Sequence, residues 1–428
     1  MNKQLILTSL IDAVDKIVFH VKTYRAKARN LTQIIFRLFL NDDTCLDFSK
    51  PKQIPNAYFK KIIKGAGALS TVLRELKNAE ILLTDGKYST GKGKGKAFCK
   101  SYILNPTLIY HADRTFTQFE NINKINDRVK FKKIKKTLES IEIDSAVYDF
   151  IPKLIESELS EILIGDKIDD VMITFKIKGE QIRNHINYWL ANATRNNIAL
   201  IKFKGKFYLE SASTFRERKR VELEISYTYS IENIKNGHFY ANRNNTNNRL
   251  DHNLTALKRE LFQFIILDGE KTVEVDIANA QFALLSNISS LNLDSNFIDY
   301  AQNGKLYESI GREIGKSKKE VKAFTMVALF GKTRNHPKQL RKLFPKTMKS
   351  IAEYKNKNGY KSFSVMLQQA ESNLMIDGVY NLLTKNNIPT IPVHDSMRVK
   401  ESDYIRTNRM MVDFFNEKNF KCELKPKE

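Results

Sequence analysis

Three short stretches of the chain carry side chains in patterns that can do chemistry. The first runs from Lys271 to Gln281, where Val273, Val275 and Ile277 alternate with Glu274 and Asp276. That is the period of a strand, and from Asn279 the apolar residues Phe282, Leu285 and Ile288 fall at helical spacing instead. Asp276 therefore sits near a strand end, before a tight turn, where its carboxylate can face a metal ion. Taken alone, an aspartate in such a place is more commonly structural. The second stretch is Ser317 to Gly331. Ser317 and Glu320 have the S-x-x-E spacing of a capping box, and Gly331 suits the end of the helix that starts there. Lys318, Lys322, Met326 and Phe330 recur every four residues along one face. The face spans about 18 Å at ~1.5 Å per residue, about the length of an extended nucleoside triphosphate. It is cationic at the N-terminal end, where helices also favour anions, and apolar at the other. An ordinary amphipathic helix with snorkelling lysines has the same pattern. The third stretch, Ile388 to Lys400, reads as a hairpin whose bend presents His394, Asp395 and Ser396.

Together the three predict one reaction. Two carboxylates on neighbouring strands can hold two divalent ions, Mg2+ or alternatively Mn2+, about 3.5–4 Å apart. Such a pair activates a 3′-hydroxyl and neutralises a leaving pyrophosphate. Catalytic and metal-binding roles fall to Asp276 and Asp395. A two-metal nuclease needs the same acids but has no use for a triphosphate-length helix.

The surrounding elements must position these groups. A chain of 428 residues is long enough for two or three domains. Lys and Arg outnumber Asp and Glu by 71 to 48, a net charge of +23, which points to a polyanionic partner, most simply nucleic acid. No apolar run approaches the ~20 residues that span a bilayer, and no signal segment is evident at the N-terminus, so a cytoplasmic protein without membrane contact is expected. Cys45, Cys99 and Cys422 lie far apart and suggest neither a zinc site nor a disulfide framework.

In the N-terminal part, helices are expected over Ala57–Ile63 and over Ser70–Ala79, with Ser70 as N-cap. Strands follow at Ile81–Leu83 and Tyr102–Leu104, around a tip of alternating glycine and lysine that includes Lys92, Lys94 and Lys96. Helix, helix, strand, basic tip, strand resembles a winged helix-turn-helix, with the three lysines along phosphates. Gly86 to Gly93 nearly matches a phosphate loop, but Gly93 stands where the metal-binding hydroxyl belongs. Further on, Ile182–Arg195 reads as a helix containing Trp189, and Ile198–Leu209 as a strand pair around Gly205. The basic run Arg216, Arg218, Lys219, Arg220 suits either a duplex grip or a solvated helix face. Asn242–Asn253 reads as a loop, and Phe363–Leu383 as one long amphipathic helix. Domains are expected at 1–110 (winged helix), 111–235 (linker and a thumb-like accessory region) and 236–428.

In order and spacing, the three chemical stretches resemble motifs A, B and C of the family A polymerases, which include bacterial DNA polymerase I and the single-subunit phage RNA polymerases. Asp276 matches the motif A aspartate. Lys318, Lys322, Phe330 and Gly331 match the motif B helix, and His394-Asp395 the motif C pair. Asn253-Leu254-Thr255 through Arg259 is similar to a family segment that touches primer and template, and Gln368 and Gln369 lie where the family has a Gln-bearing helix. The resemblance covers about residues 237–400. It implies an α+β fold: a right-hand palm with helical fingers and thumb, here with an N-terminal winged helix. It implies a template-dependent DNA or RNA polymerase, primase-like in one version, serving replication or transcription of a mobile element or phage. Nucleotide contacts would come from Lys318, Lys322, Met326, Phe330 and Gln281. Primer–template contacts would come from Gly331, His394, Arg259, Asn253 and Gln368. Partners would be a DNA template, a DNA or RNA primer and nucleoside triphosphates. The chain departs from the pattern at Gln281, where DNA polymerases carry a Glu that blocks the ribose 2′-hydroxyl, and at His238, where Arg is usual. The alternative is a non-catalytic winged-helix replication initiator with a degenerate palm.

Overall fold

The computed structural model describes residues 3–40, 47–48, 50–63, 65–86, 99–111, 113–120, 129, 131–164, 198–204 and 206–425. The chain divides into two compact units, residues 1–126 with 145–233, and 127–144 with 234–428. This differs from three consecutive segments: residues 111–235 form no unit of their own.

In the first unit, β1 (Lys3–Leu7) pairs antiparallel with β5 (Phe116–Glu120). A three-stranded sheet has the order β2 (Lys52–Gln53), β4 (Ser101–Leu104), β3 (Leu82–Thr84). Helices α1 (Thr8–Asp15), α2 (Lys22–Leu40), α3 (Asn56–Ile62) and α4 (Ala66–Asn78) bury Leu10, Val14, Leu31, Phe36, Phe59 and Val72 in one core with Leu82 and Leu104. Helix α4 starts four residues before the expected cap. Its first turn places Ala68 and Leu69 in the core, and Gly65, at φ 97, turns the chain into it. Ser70 lies inside α4, its hydroxyl donating to Gly67 O at 2.9 Å. The tip with Lys92, Lys94 and Lys96, and the stretch around Trp189, lie outside the described residues. A further sheet joins β7 (Leu163–Ile164), β8 (Ile198–Phe203) and β9 (Lys206–Ser211). Helices α5 (Val147–Leu159) and α6 (Ala212–Lys235) accompany it. The basic run lies on α6 and divides between a solvated side and the interior. Arg216 and Arg220 pair with Glu156, while Arg218 and Lys219 turn inward onto acids.

The second unit is organised on an antiparallel sheet in the order β14 (Ile391–Val393), β15 (Ser396–Lys400), β13 (Glu270–Asp276), β12 (Ile265–Leu267), β6 (Ile141–Ile143). Strand β6 draws residues 127–144 into this unit, Ile141 opposite Leu267 and Ile143 opposite Ile265. The β13–β15 register sorts the side chains by face. Val273 opposes Val399 and Val275 opposes Met397, on the face covered by α13 (Tyr404–Glu417). The other face carries Glu274 opposite Arg398 and Asp276 opposite Ser396. Helices α7 (Ala280–Ser286), α8 (Ser295–Gln302), α9 (Leu306–Ile314), α10 (Lys318–Phe330), α11 (Pro345–Asn358) and α12 (Tyr360–Ser372) share a second core around Phe282, Phe297, Ile310, Val321, Leu329 and Phe363.

Two expectations change here. The Asn-rich stretch is a hairpin of β10 (Ala241–Arg243) and β11 (Leu250–His252), because its amides build the turn. Asn244 Oδ1 accepts from Thr246 N at 2.9 Å, Asn247 Oδ1 from Arg249 N at 3.1 Å, and Asn248 takes φ 59. The long helix of 363–383 is α12 followed by a π-helical stretch, Asn373–Tyr380, and a last α-helical turn, Asn381–Lys385. Gly378 lies in that stretch, where a Cβ would come within 2.5 Å of the Phe414 ring. Among the described residues no helix is long and apolar enough to cross a membrane.

Candidate active site

Asp276 is the last residue of β13, and Asp395 lies in the bend between β14 and β15. The register pairs Asp276 with Ser396, so Asp395 is one step further along, its carbonyl accepting from Ile277 N at 3.4 Å. The two carboxylates are thus carried at the same end of adjacent antiparallel strands. Both turns contain a non-glycine residue in the left-handed region, His394 at φ 55 and Asn279 at φ 53. Such positions are retained where the surrounding structure holds them, commonly beside a functional group.

Electrostatics set Asp276 apart. It is buried, with 9 % of its surface exposed. Its Oδ2 accepts from the Lys425 ammonium, while its Oδ1 is buried without a hydrogen-bond partner. Burial first, and then the charge of Asp395, push its pKa up to about 7 against the opposing pull of Lys425. Among the described residues, the Asp395 carboxylate makes no hydrogen bond and no ion pair. Asp276 opens on a cleft of about 380 Å³ lined also by Arg259, Thr272, Glu274, Arg398 and Lys425.

A third carboxylate is Glu371 on α12, a residue of the expected helix to which the sequence assigned no role. It is buried, with Arg249 Nη2 2.7 Å from its Oε1, and its Oε2 accepts from the Gln281 amide. Burial pushes it up to about 7, with Asp395 adding to the shift and Arg249 opposing it. Tyr307 on α9 also senses Asp395; burial and that charge push its hydroxyl up to about 12. Asp395 is therefore the common neighbour of Asp276, Glu371 and Tyr307. The one local hint of Glu371 was its spacing. Gln368, Glu371 and Ser372 fall on one face of α12, and all three bond to residues 247–249 of the β10–β11 hairpin. Nothing near Lys425 in sequence marked it.

The other predicted residues are distributed as follows. Gln281 joins Glu371, and Gln368 accepts from Asn247 Nδ2 at 3.1 Å. Asn253 ties its own segment together, accepting from Tyr240 N at 2.8 Å and donating to His238 O at 3.1 Å. Arg259 is exposed at the cleft, 3.9 Å from Glu274. His394 is largely buried, and burial lowers its pKa. Helix α10 begins with the Ser317–Glu320 capping box and packs against α9 and α12, the helices that carry Tyr307 and Glu371. Lys322 is exposed, Met326 and Phe330 are half-buried, and Lys318 pairs with Glu308 at 2.5 Å. Among the described residues, no hydrogen bond or ion pair joins this face to either aspartate. Gly331 ends α10 for a reason other than left-handed geometry. Its φ is −80, and a Cβ there would lie 2.6 Å from Val327 O. The buried Lys355 ammonium then caps the helix, donating to Ala328 O and Gly331 O at 2.5 and 2.9 Å.

The donor set fits a hard cation bound together with substrate oxygens. Among the described residues no cluster of three or more potential ligands forms, as an all-protein cage would require. Mg2+, however, is usually held by one or two carboxylates plus waters and phosphates. An unpartnered Asp276 oxygen beside the unpaired Asp395 carboxylate supplies that. No family model and no curated protein matches this chain.

Proposed function

We propose that this protein is a template-dependent nucleotidyltransferase, a DNA or RNA polymerase, whose second unit forms the palm and helical fingers. The observation that carries the reading is the pair of acids at one end of β13 and β15, one with a buried oxygen that has no partner. One lysine serves two adjacent carboxylates, and an acid left without a cation beside the buried Asp276 is unfavourable unless a further cation joins them. Asp276 and Asp395 would hold Mg2+, which supplies activation of a 3′-hydroxyl and neutralisation of the leaving pyrophosphate. Lys322, with Lys318 released from Glu308, would align the triphosphate along α10, and Phe330 and Met326 would bound the base end. Gln281, oriented by Glu371, would face the sugar. Arg259 and Arg398 at the cleft suit primer–template phosphates, and the wing-like hairpin of the first unit would add nucleic-acid affinity. Such an enzyme fits a cytoplasmic setting and the copying of a mobile element.

The test is incorporation of labelled dNTPs or NTPs on primed and unprimed templates, with Mg2+ and then with EDTA. Metal-dependent extension is expected, lost in Asp395→Asn with DNA binding retained. Extension by that variant at the parent rate would overturn the reading. The contact of Lys425 with Asp276 favours one rival, a non-catalytic initiator, because a retired site tolerates an internal cation on its carboxylate. That rival predicts sequence-specific DNA binding and no incorporation of any nucleotide.

A further inference from the structure

We infer that Lys425 is a positioning residue of the candidate active site, an internal cation that holds the Asp276 carboxylate until a divalent ion displaces it, and so sets how tightly that ion binds. This rests on the assignment of Asp276 as a metal ligand. The C-terminal segment adds a short strand to the end of β13. Ala278 N donates to Glu423 O at 2.8 Å, Lys425 N donates to Asp276 O at 2.8 Å, and Ile277 and Leu424 form an antiparallel bridge between them. Gly304 packs against this joint, where a Cβ would meet Ala278 Cβ at 2.8 Å and Glu423 Cβ at 3.3 Å. Residues 423–425 are thereby anchored by their backbone, and the Lys425 side chain is free to swing without the strand moving.

That side chain reaches back to Asp276 Oδ2, the oxygen opposite the unpartnered Oδ1. The lysine is 42 % exposed and the aspartate side chain 12 %. An ammonium with that much solvent gains little from its ion pair and leaves it readily. A divalent ion carries twice the charge and can also bind Asp395, which the lysine leaves unpaired. Lys425 therefore has the geometry of a placeholder: close enough to keep the carboxylate oriented, too exposed to exclude a stronger cation.

The full-length protein, its Lys425→Met and Lys425→Arg variants and Asp276→Asn would be titrated with Mn2+ alone by calorimetry. Mn2+-induced shifts in thermal unfolding give a second readout that also reports whether each variant folds. Lys425→Met is expected to bind Mn2+ about tenfold more tightly than the parent protein. Lys425→Arg, which keeps the charge, is expected near the parent value. Binding by Lys425→Met that is unchanged or weaker, while Asp276→Asn loses it, overturns the role of Lys425 and leaves the metal assignment standing. Unaltered Mn2+ binding by Asp276→Asn overturns the assignment itself, and the inference with it.

Discussion

Each unit buries a cluster of ionisable groups, and the two clusters are settled in opposite ways. In the first unit Glu222 is fully buried, yet both oxygens are engaged. Oε2 accepts from Lys219 at 2.6 Å, and Oε1 from Tyr110 at 2.5 Å and Arg218 at 3.0 Å. Arg218 also binds Glu210 at 2.7 Å and Asp47 at 3.0 Å, and Lys50 reaches Asp47 at 3.5 Å. Every acid there has a cation. In the second unit Asp276, Asp395 and Glu371 gather with one exposed lysine and one arginine, and an Asp276 oxygen stays without a partner. Burial of charge therefore does not distinguish a site from a scaffold; the surplus of one sign does. Of the basic run, Arg218 and Lys219 belong to the scaffold.

Substitution should separate the two clusters. Asp276→Asn relieves repulsion and removes the proposed metal ligand. Incorporation should fall about a thousandfold or more while thermal stability holds or rises. A large loss of stability would place Asp276 with the structural acids. Lys219→Met does the reverse, leaving Glu222 short of a buried cation. Urea denaturation should register a loss of about 3 kcal/mol, reduced when Glu222→Gln is added. Additive losses in the double variant would mean the pair is not coupled.

What sequence made legible was local. The capping box of α10, the alternation of β13 and the hairpin around Asp395 each depend on neighbours within a few residues, and all three are present. What it hid depends on distance along the chain. Arg249 and Gln281 lie 122 and 90 residues from Glu371, Lys425 lies 149 from Asp276, and Asp47 lies 171 from Arg218. No periodicity reports such pairs. The Asn-rich hairpin was hidden differently: composition signalled a loop, but the amides bond locally and let two strands pair.

Glu371 tests whether the surplus acids cooperate. It is expected to act through Gln281 rather than on the reacting atoms. Glu371→Gln should therefore lower incorporation about tenfold, mainly by raising the nucleotide KM, equivalent to about 1.4 kcal/mol. An effect confined to kcat would assign it a direct role instead.

The last effect is the pH dependence of stability in the second unit. His252 is fully buried, its ring bridging Pro392 O at 2.7 Å and Leu254 N at 3.3 Å, and burial pushes its pKa down to about 4. His336, beside the Lys355 ammonium, is pushed down to about 4 by burial and that charge. Both contribute stability that is present above pH ~6.5 and lost as the pH falls through about 4. Asp276 and Glu371, raised to about 7, have the opposite sign. Their contribution is complete below the ordinary carboxylate range near pH ~4 and is lost as the pH rises through about 7. Between those limits two histidines oppose two carboxylates, so these four groups nearly cancel. Asp276→Asn removes one carboxylate from the balance. Stability of the second unit should then fall on acidification more steeply than in the parent, by about 1.4 kcal/mol per pH unit. Urea unfolding at several pH values, with amide exchange in β13 identifying the unit, would measure the difference, and the effects of groups remote from Asp276 cancel in it. An unchanged slope would mean that Asp276 titrates as an ordinary acid in the folded protein, and the contrast between the clusters would fail at the residue on which it depends most.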